Sequence, residues 1–105
     1  MADATTTYAI DNAGPNADGS YNVAAQTYCK RIVVQENYNS VTAPSADLLQ
    51  KMPSTAANFV NITKGTPAIF TAVGLGNGFA PGQVVGSIKT VSGSITVQQI
   101  ESQEV

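Results

Sequence analysis

The sequence predicts one all-β domain, a small β-sandwich or jelly-roll-like barrel with an extended N-terminal arm. Its 105 residues are enough for one domain but not for two separate cores. Short runs of β-branched and aromatic residues alternate with turns that contain glycine, proline and asparagine. No stretch has the long 3.6-residue apolar period of a helical bundle. We therefore expect an arm over residues 1–20 and a sandwich over residues 21–105, with five to seven strands and at most one short helix.

The arm is predicted from a threonine run followed by turn signals, with little apolar surface. So few apolar side chains do not repay the entropy of ordering a separate unit. We expect the arm to end in a turn at Asp18-Gly19. Tyr8 and Ile10 share one face of an extended chain. They are therefore expected to form a short edge strand or to contact a neighbouring molecule.

Four elements are predicted in the first part of the body. Residues 28–38 are rich in β-branched and aromatic residues, and both faces are apolar at the centre, which predicts a central strand. A helical turn or two is expected over residues 45–52, with Ser45 as the N-cap and Pro53 as the stop. Weaker patterns predict strands over residues 57–62 and 66–73, joined by a turn at Lys64-Gly65.

The C-terminal part carries a glycine-rich loop and a predicted hairpin. Residues 74–82 include four glycines, which predicts a loop between strands. Residues 84–91 and 94–100 flank Ser92-Gly93, a two-residue hairpin signal. In that register Ile88 would lie opposite Val97, with both side chains on one face of the hairpin.

Composition excludes several classes of function. Charged residues make up 11% of the chain and the net charge is −2, which is not the electrostatic footprint of a nucleic-acid-binding protein. Serine, threonine, asparagine and glutamine supply 34 residues, so solubility rests on hydroxyls and amides. No apolar stretch is long enough for a transmembrane helix, and the N-terminus lacks the features of a secretory signal. A single cysteine cannot form an internal disulfide, so we expect synthesis in a reducing cytoplasm.

The inventory of reactive side chains predicts a protein that is not an enzyme and needs no metal or cofactor. Histidine is absent, which excludes Cys/His zinc sites and histidine-based triads. The lone Cys29 has no histidine base and is expected to pack as a small apolar residue. Glu36 and Asp47 are the one carboxylate pair in the body, and nothing in their spacing brings them together in a glycosidase-like cleft. The glycine-rich loop lacks the lysine of a phosphate-binding loop.

Candidate contact residues are therefore sought among side chains near loops and in the arm. The aromatic residues mostly have to fill the core, because tryptophan is absent and leucine is scarce. Tyr38 and Phe79 lie beside loops, and Asn77 lies within one. Together with Tyr8 and Ile10 of the arm, these three residues form the predicted partner-binding set.

Two segments of the chain resemble small structural proteins of tailed bacteriophages, which decorate or cement the capsid. The first is the strand from Cys29 to Asn37, followed by Pro44-Ser45-Ala46-Asp47-Leu48-Leu49; the second is the block from Phe79 to Ile88, closed by Val91-Ser92-Gly93-Ser94. The resemblance implies a non-enzymatic virion protein on the capsid surface. Its implied partners are the phage major capsid protein and other copies of itself, with a trimer favoured. The alternative is a carbohydrate-binding or adhesin-like β-sandwich module, which the loops rich in asparagine, threonine and glutamine would suit.

Overall fold

The computed structural model describes residues 4–37, 46–74 and 76–102. These residues form eight β-strands and contain no helix. The strands are β1 (Ala4–Ile10), β2 (Tyr21–Ala24), β3 (Arg31–Glu36), β4 (Leu48–Lys51), β5 (Val60–Ile62), β6 (Ala68–Thr71), β7 (Val84–Thr90) and β8 (Ile95–Ser102). The all-β prediction is thus confirmed.

The strands form two four-stranded antiparallel sheets packed together. Sheet A has the order β1-β8-β3-β6 and sheet B the order β2-β7-β4-β5. The first strand pairs with the last, the second with the seventh, the third with the sixth and the fourth with the fifth. The chain thus behaves as one long hairpin of four strand pairs rolled into two layers, which is the strand order of a jelly roll. The predicted small sandwich is confirmed.

The core lies between the two sheets and follows from strand alternation. Inward-facing positions of both sheets carry apolar residues that are fully buried, as the period of two requires. The largest are Phe70, Ile10, Ile32 and Ile88. Gly86 of β7 leaves room for two neighbours: a Cβ atom there would clash with the carbonyl oxygen of Lys51 on the adjacent strand β4 and lie 2.6 Å from the Phe70 ring of the opposite sheet.

The expected arm is extended, but the structure makes it part of the sandwich. Residues 4–10 form β1, the edge strand of sheet A, in continuous register with β8 from Ala4↔Glu101 to Ile10↔Ile95. Ile10 is 1% exposed. The few apolar side chains of this segment are too few for an independent unit, but they are enough for one strand of a sheet. The segment pairs with β8 along its length, and sheet B covers the Ile10 side chain. The turn expected at Asp18-Gly19 is present, with Gly19 at φ 85.

Two predicted elements are wrong for the same reason, which is strand pairing. The helical turn expected after Ser45 is replaced by β4, which lies between β7 and β5; Ser45 itself lies outside the described residues. The predicted C-terminal hairpin does not form, since β7 lies between β2 and β4 while β8 lies between β1 and β3. The Ser92-Gly93 turn has the expected positive φ at Gly93, 75°, but it carries the chain from one sheet to the other. Ile88 and Val97 therefore belong to different sheets and are both buried in the core between the layers.

The described residues form eight strands rather than the expected five to seven, whereas three local predictions are confirmed. β3 is a central strand, with Ile32 and Val34 buried on its inner face. Strands occur within residues 57–62 and 66–73, and the turn between them has Gly65 at φ 90. The described residues of the glycine-rich segment form a loop, apart from one bridge between Cys29 and Phe79.

Candidate functional site

The predicted partner-binding residues are not brought together. Phe79 is 3% exposed and Ile10 is 1% exposed, so neither ring nor alkyl group is presented on the surface. Phe79 enters the core because its backbone bridges Cys29 at both N–H and C=O, which turns its side chain inward. Asn77 is exposed in the glycine-rich loop, as expected. Tyr38 lies outside the described residues.

Tyr8 instead belongs to a buried polar chain that sequence reasoning missed. Its hydroxyl donates to Oε1 of Gln99 at 2.8 Å, and Nε2 of Gln99 donates to Oε2 of Glu101 at 2.8 Å. Gln99 and Glu101 are 2% and 3% exposed. Both lie on the inner face of β8, at positions where alternation alone predicts apolar side chains.

Glu101 is held at its buried position by donors of the connection between β2 and β3. Its carboxylate accepts hydrogen bonds from the backbone N–H of Gln26, from the backbone N–H of Thr27 and from the Thr27 hydroxyl, at 2.8–3.0 Å. With the Gln99 amide, four donors converge on one carboxylate. A buried carboxylate is tolerated only when its lone pairs are satisfied in this way.

This carboxylate affects two neighbouring acids. Burial, and secondly the charge of Glu101, raise the pKa of Tyr8 to about 12. The same two causes, in the same order, raise the pKa of the Cys29 thiol to about 11. Cys29 is 2% exposed and is therefore a packed, protonated thiol at neutral pH, as the sequence predicts.

An open cleft of about 350 Å³ lies above this polar chain, where the edge strands β1 and β2 of the two sheets approach each other. Its lining residues come from five segments of the chain and carry no charge. They are Thr6, Tyr8, Pro15, Tyr21, Asn22, Ala24, Gln26 and Gln99. The cleft thus combines two tyrosine rings with three amide side chains.

The outer face of sheet A is the second candidate surface. Alternation along its four strands turns twelve residues away from the core, and one of them is charged. They are Thr5, Thr7, Ala9, Arg31, Val33, Gln35, Ile69, Thr71, Thr96, Gln98, Ile100 and Ser102.

An apolar row crosses the middle of this face. Val33 is in register with Ile100 on one side and with Ile69 on the other, so the three side chains are neighbours on adjacent strands. Ile69 is 46% exposed. The one cation, Arg31, has a buried Nε atom without a hydrogen-bond partner.

The outer face of sheet B differs, because the connection between β1 and β2 is tied onto it. Lys51 of β4 forms a salt bridge with Asp18, and Lys89 of β7 donates to the Asp18 carbonyl at 2.9 Å. Hydrogen bonds from Lys51 and Ser20 lower the pKa of Asp18 well below its ordinary value. Both lysine ammonium groups also lie over the Phe59 ring, 4.9 and 4.6 Å from its centroid.

The described residues hold neither a candidate metal site nor a membrane-spanning helix. Residues 4–37, 46–74 and 76–102 contain no group of three or more acidic or thiol side chains placed to hold a metal ion. The same ranges contain no helix long and apolar enough to cross a membrane.

Comparison with known proteins adds no relative: the chain matches no family model, no curated protein and no solved structure.

Proposed function

We propose that this protein is a non-enzymatic virion structural protein that decorates or cements the shell of a bacteriophage capsid. The observation that carries the proposal is the outer face of sheet A, which is built from threonine, glutamine and aliphatic residues with Arg31 as the one charge. Depletion of charge around an apolar centre is the composition of the buried part of a protein–protein interface.

The apolar row gives this face a centre and a rim. Val33, Ile69 and Ile100 would supply the desolvated centre, and the surrounding threonines and glutamines would supply hydrogen bonds at the rim. The jelly roll is a fold shared by many capsid proteins, although fold alone does not determine function.

The proposed partners are the phage major capsid protein and further copies of this chain, with a trimer favoured. Many weak contacts repeated around a symmetric shell give strong total binding without a large interface on each copy. Light scattering behind a sizing column would give three times the 10.8 kDa chain mass for a trimer.

Shell binding is tested by co-sedimentation with emptied heads of tailed phages from which the resident decoration protein has been removed. The test variant is Ile69→Glu, on the outer face of sheet A, and the matched control is Val60→Glu, on the edge strand β5. Both residues are exposed, at 46% and 62%, so neither change should impair folding. We expect Ile69→Glu to abolish binding and Val60→Glu to retain it. A stable monomer that sediments with none of the heads would contradict the proposal.

A further inference from the structure

We propose that the cleft between β1 and β2 binds an uncharged pyranose unit of a glycan. Its volume of about 350 Å³ lies near the lower end of the range for small-molecule sites, roughly 300–1,000 Å³. A single sugar ring matches this size. The cleft opens at the side of the sandwich, so the rest of an oligosaccharide would extend into solvent.

The lining supplies the two kinds of side chain that recognise sugars. Tyr8 and Tyr21 supply aromatic rings, on which the C–H face of a pyranose packs. Asn22 and Gln26 supply amide groups at exposed positions, which a ligand can reach. An amide offers both a donor and an acceptor, and it therefore suits a pair of neighbouring sugar hydroxyls.

Hydrogen bonds within the protein determine what these groups still offer. Tyr8 and Tyr21 each donate their hydroxyl proton to a protein acceptor, so each phenol oxygen is left to accept from a ligand hydroxyl. Oδ1 of Asn22 accepts from Asn16 at 2.9 Å, which leaves the NH₂ group of Asn22 as a donor. The cleft therefore presents acceptors and donors together, as a polyhydroxylated ligand requires.

The charges behind the cleft favour a neutral ligand. The Glu101 carboxylate is bonded to Gln99, and the Asp11 carboxylate accepts the hydroxyl of Tyr21 at 2.9 Å. Both negative groups lie directly behind lining residues, and no lining residue is a cation. An anionic sugar would meet uncompensated repulsion at this site, whereas a neutral sugar would not.

This site is independent of the proposed shell contact. The cleft uses inward-facing residues of β1 and the edge of sheet B, whereas the shell contact uses the opposite, outer face of sheet A. Either proposal therefore survives the failure of the other.

The test is an NMR titration of the full ¹⁵N-labelled chain with defined saccharides. Cellotetraose, maltotetraose and N,N′-diacetylchitobiose are the neutral probes, and the methyl glycoside of N-acetylneuraminic acid, a single anionic ring without a neutral unit, is the anionic probe. We expect at least one neutral probe to shift the amide signals of residues 21–26. We expect the anionic glycoside to bind at least about tenfold more weakly, which corresponds to ~1.4 kcal/mol. Absence of shifts with all three neutral probes at millimolar concentration would overturn the proposal, and so would equal binding of the anionic glycoside.

Matched variants locate the site. Asn22→Ala and Gln26→Ala each remove one amide from the cleft, and each should weaken binding about three- to tenfold. Asn58→Ala removes an exposed amide from the connection between β4 and β5, outside the cleft, and should leave binding unchanged. Unaltered binding in both cleft variants would refute this location.

Discussion

Glu101→Gln tests the polar chain beneath the cleft with an almost isosteric change. The carboxylate accepts from two backbone N–H groups, one hydroxyl and the Gln99 amide, and all of these contacts lie within 2.8–3.0 Å. A glutamine amide has one oxygen, and its NH₂ group is a donor that faces donors. Whichever way the amide is turned, at least one buried N–H group loses its acceptor.

The magnitude follows from how the donors divide between the two oxygens. If the new oxygen takes the Oε1 position, it keeps both Thr27 donors and the Gln26 N–H, which lies 3.0 Å from Oε1, and only the Gln99 amide then faces an NH₂ group. One unpaired buried donor costs about 1–3 kcal/mol. For a domain of this size, that loss lowers Tm by roughly 5–20 °C.

The assay is urea unfolding at pH 7, with Asp47→Asn as the control. Asp47 also accepts a backbone N–H, that of Lys64 at 2.8 Å, but at an exposed site where water can replace the lost acceptor. The control should therefore lose about 1 kcal/mol or less. The reasoning is that a buried donor without an acceptor destabilises the protein more than an exposed one. It would be refuted if the two variants lost equal free energy of unfolding, or if Glu101→Gln lost less than about 1 kcal/mol.

Three further outcomes follow from the same structure. The pKa of Tyr8 is raised to about 12 from an ordinary value near 10, so the folded state holds the phenol proton more tightly than the unfolded state does. The stability that this proton contributes is complete below pH 10 and should be lost between pH 10 and 12. Urea unfolding of wild type and Tyr8→Phe across that range measures the loss as a difference in the free energy of unfolding. Gly86→Ala should cost about 2–3 kcal/mol through the clash with β4 and the core ring, whereas Gly76→Ala, with nothing within 4 Å of its new Cβ, should not destabilise; equal melting curves would contradict this. Gly93→Val should lower the free energy of unfolding by about 1–3 kcal/mol, because Gly93 has a φ of 75° that valine rarely adopts. The neighbouring Ser92→Val is the control and should lose far less. Similar Tm values for the two variants would exclude backbone strain as the cause.

Local signals predicted the strands of this protein better than their partners. The β-branched run at residues 31–36 identifies a central strand because both of its faces are apolar. The Ser92-Gly93 turn predicts a positive φ at Gly93 correctly, but a turn does not determine whether its flanking strands pair with each other or with strands of two different sheets. Leu48 to Lys51 is too short for periodicity to separate a helical turn from a strand, and pairing with β7 and β5 decides the outcome.

The cleft could not be predicted because its residues are distant in sequence. Thr6 and Gln99 lie more than ninety positions apart, and they meet because β1 pairs with β8. Gln99 and Glu101 were also unremarkable as sequence, since a polar residue at a core-facing strand position shows its role only when its partners are known. Phe79 was misplaced on the surface because its neighbours are glycines and a proline, and its backbone bridge to Cys29 leaves no local signal.

The pairing of the first strand with the last has a consequence for synthesis of this chain. β1 is synthesised long before its partner β8, which ends at Ser102, and β3 also depends on β8. Among the described strand pairs, only β4 with β5 joins neighbours along the chain. Sheet A therefore cannot close before β8 has been synthesised, so its folding should be slow, in the millisecond-to-second range typical of non-local β topologies. A truncation before Ile95 would remove the central strand that joins β1 to β3, and the nascent chain would keep both strand edges open to aggregation.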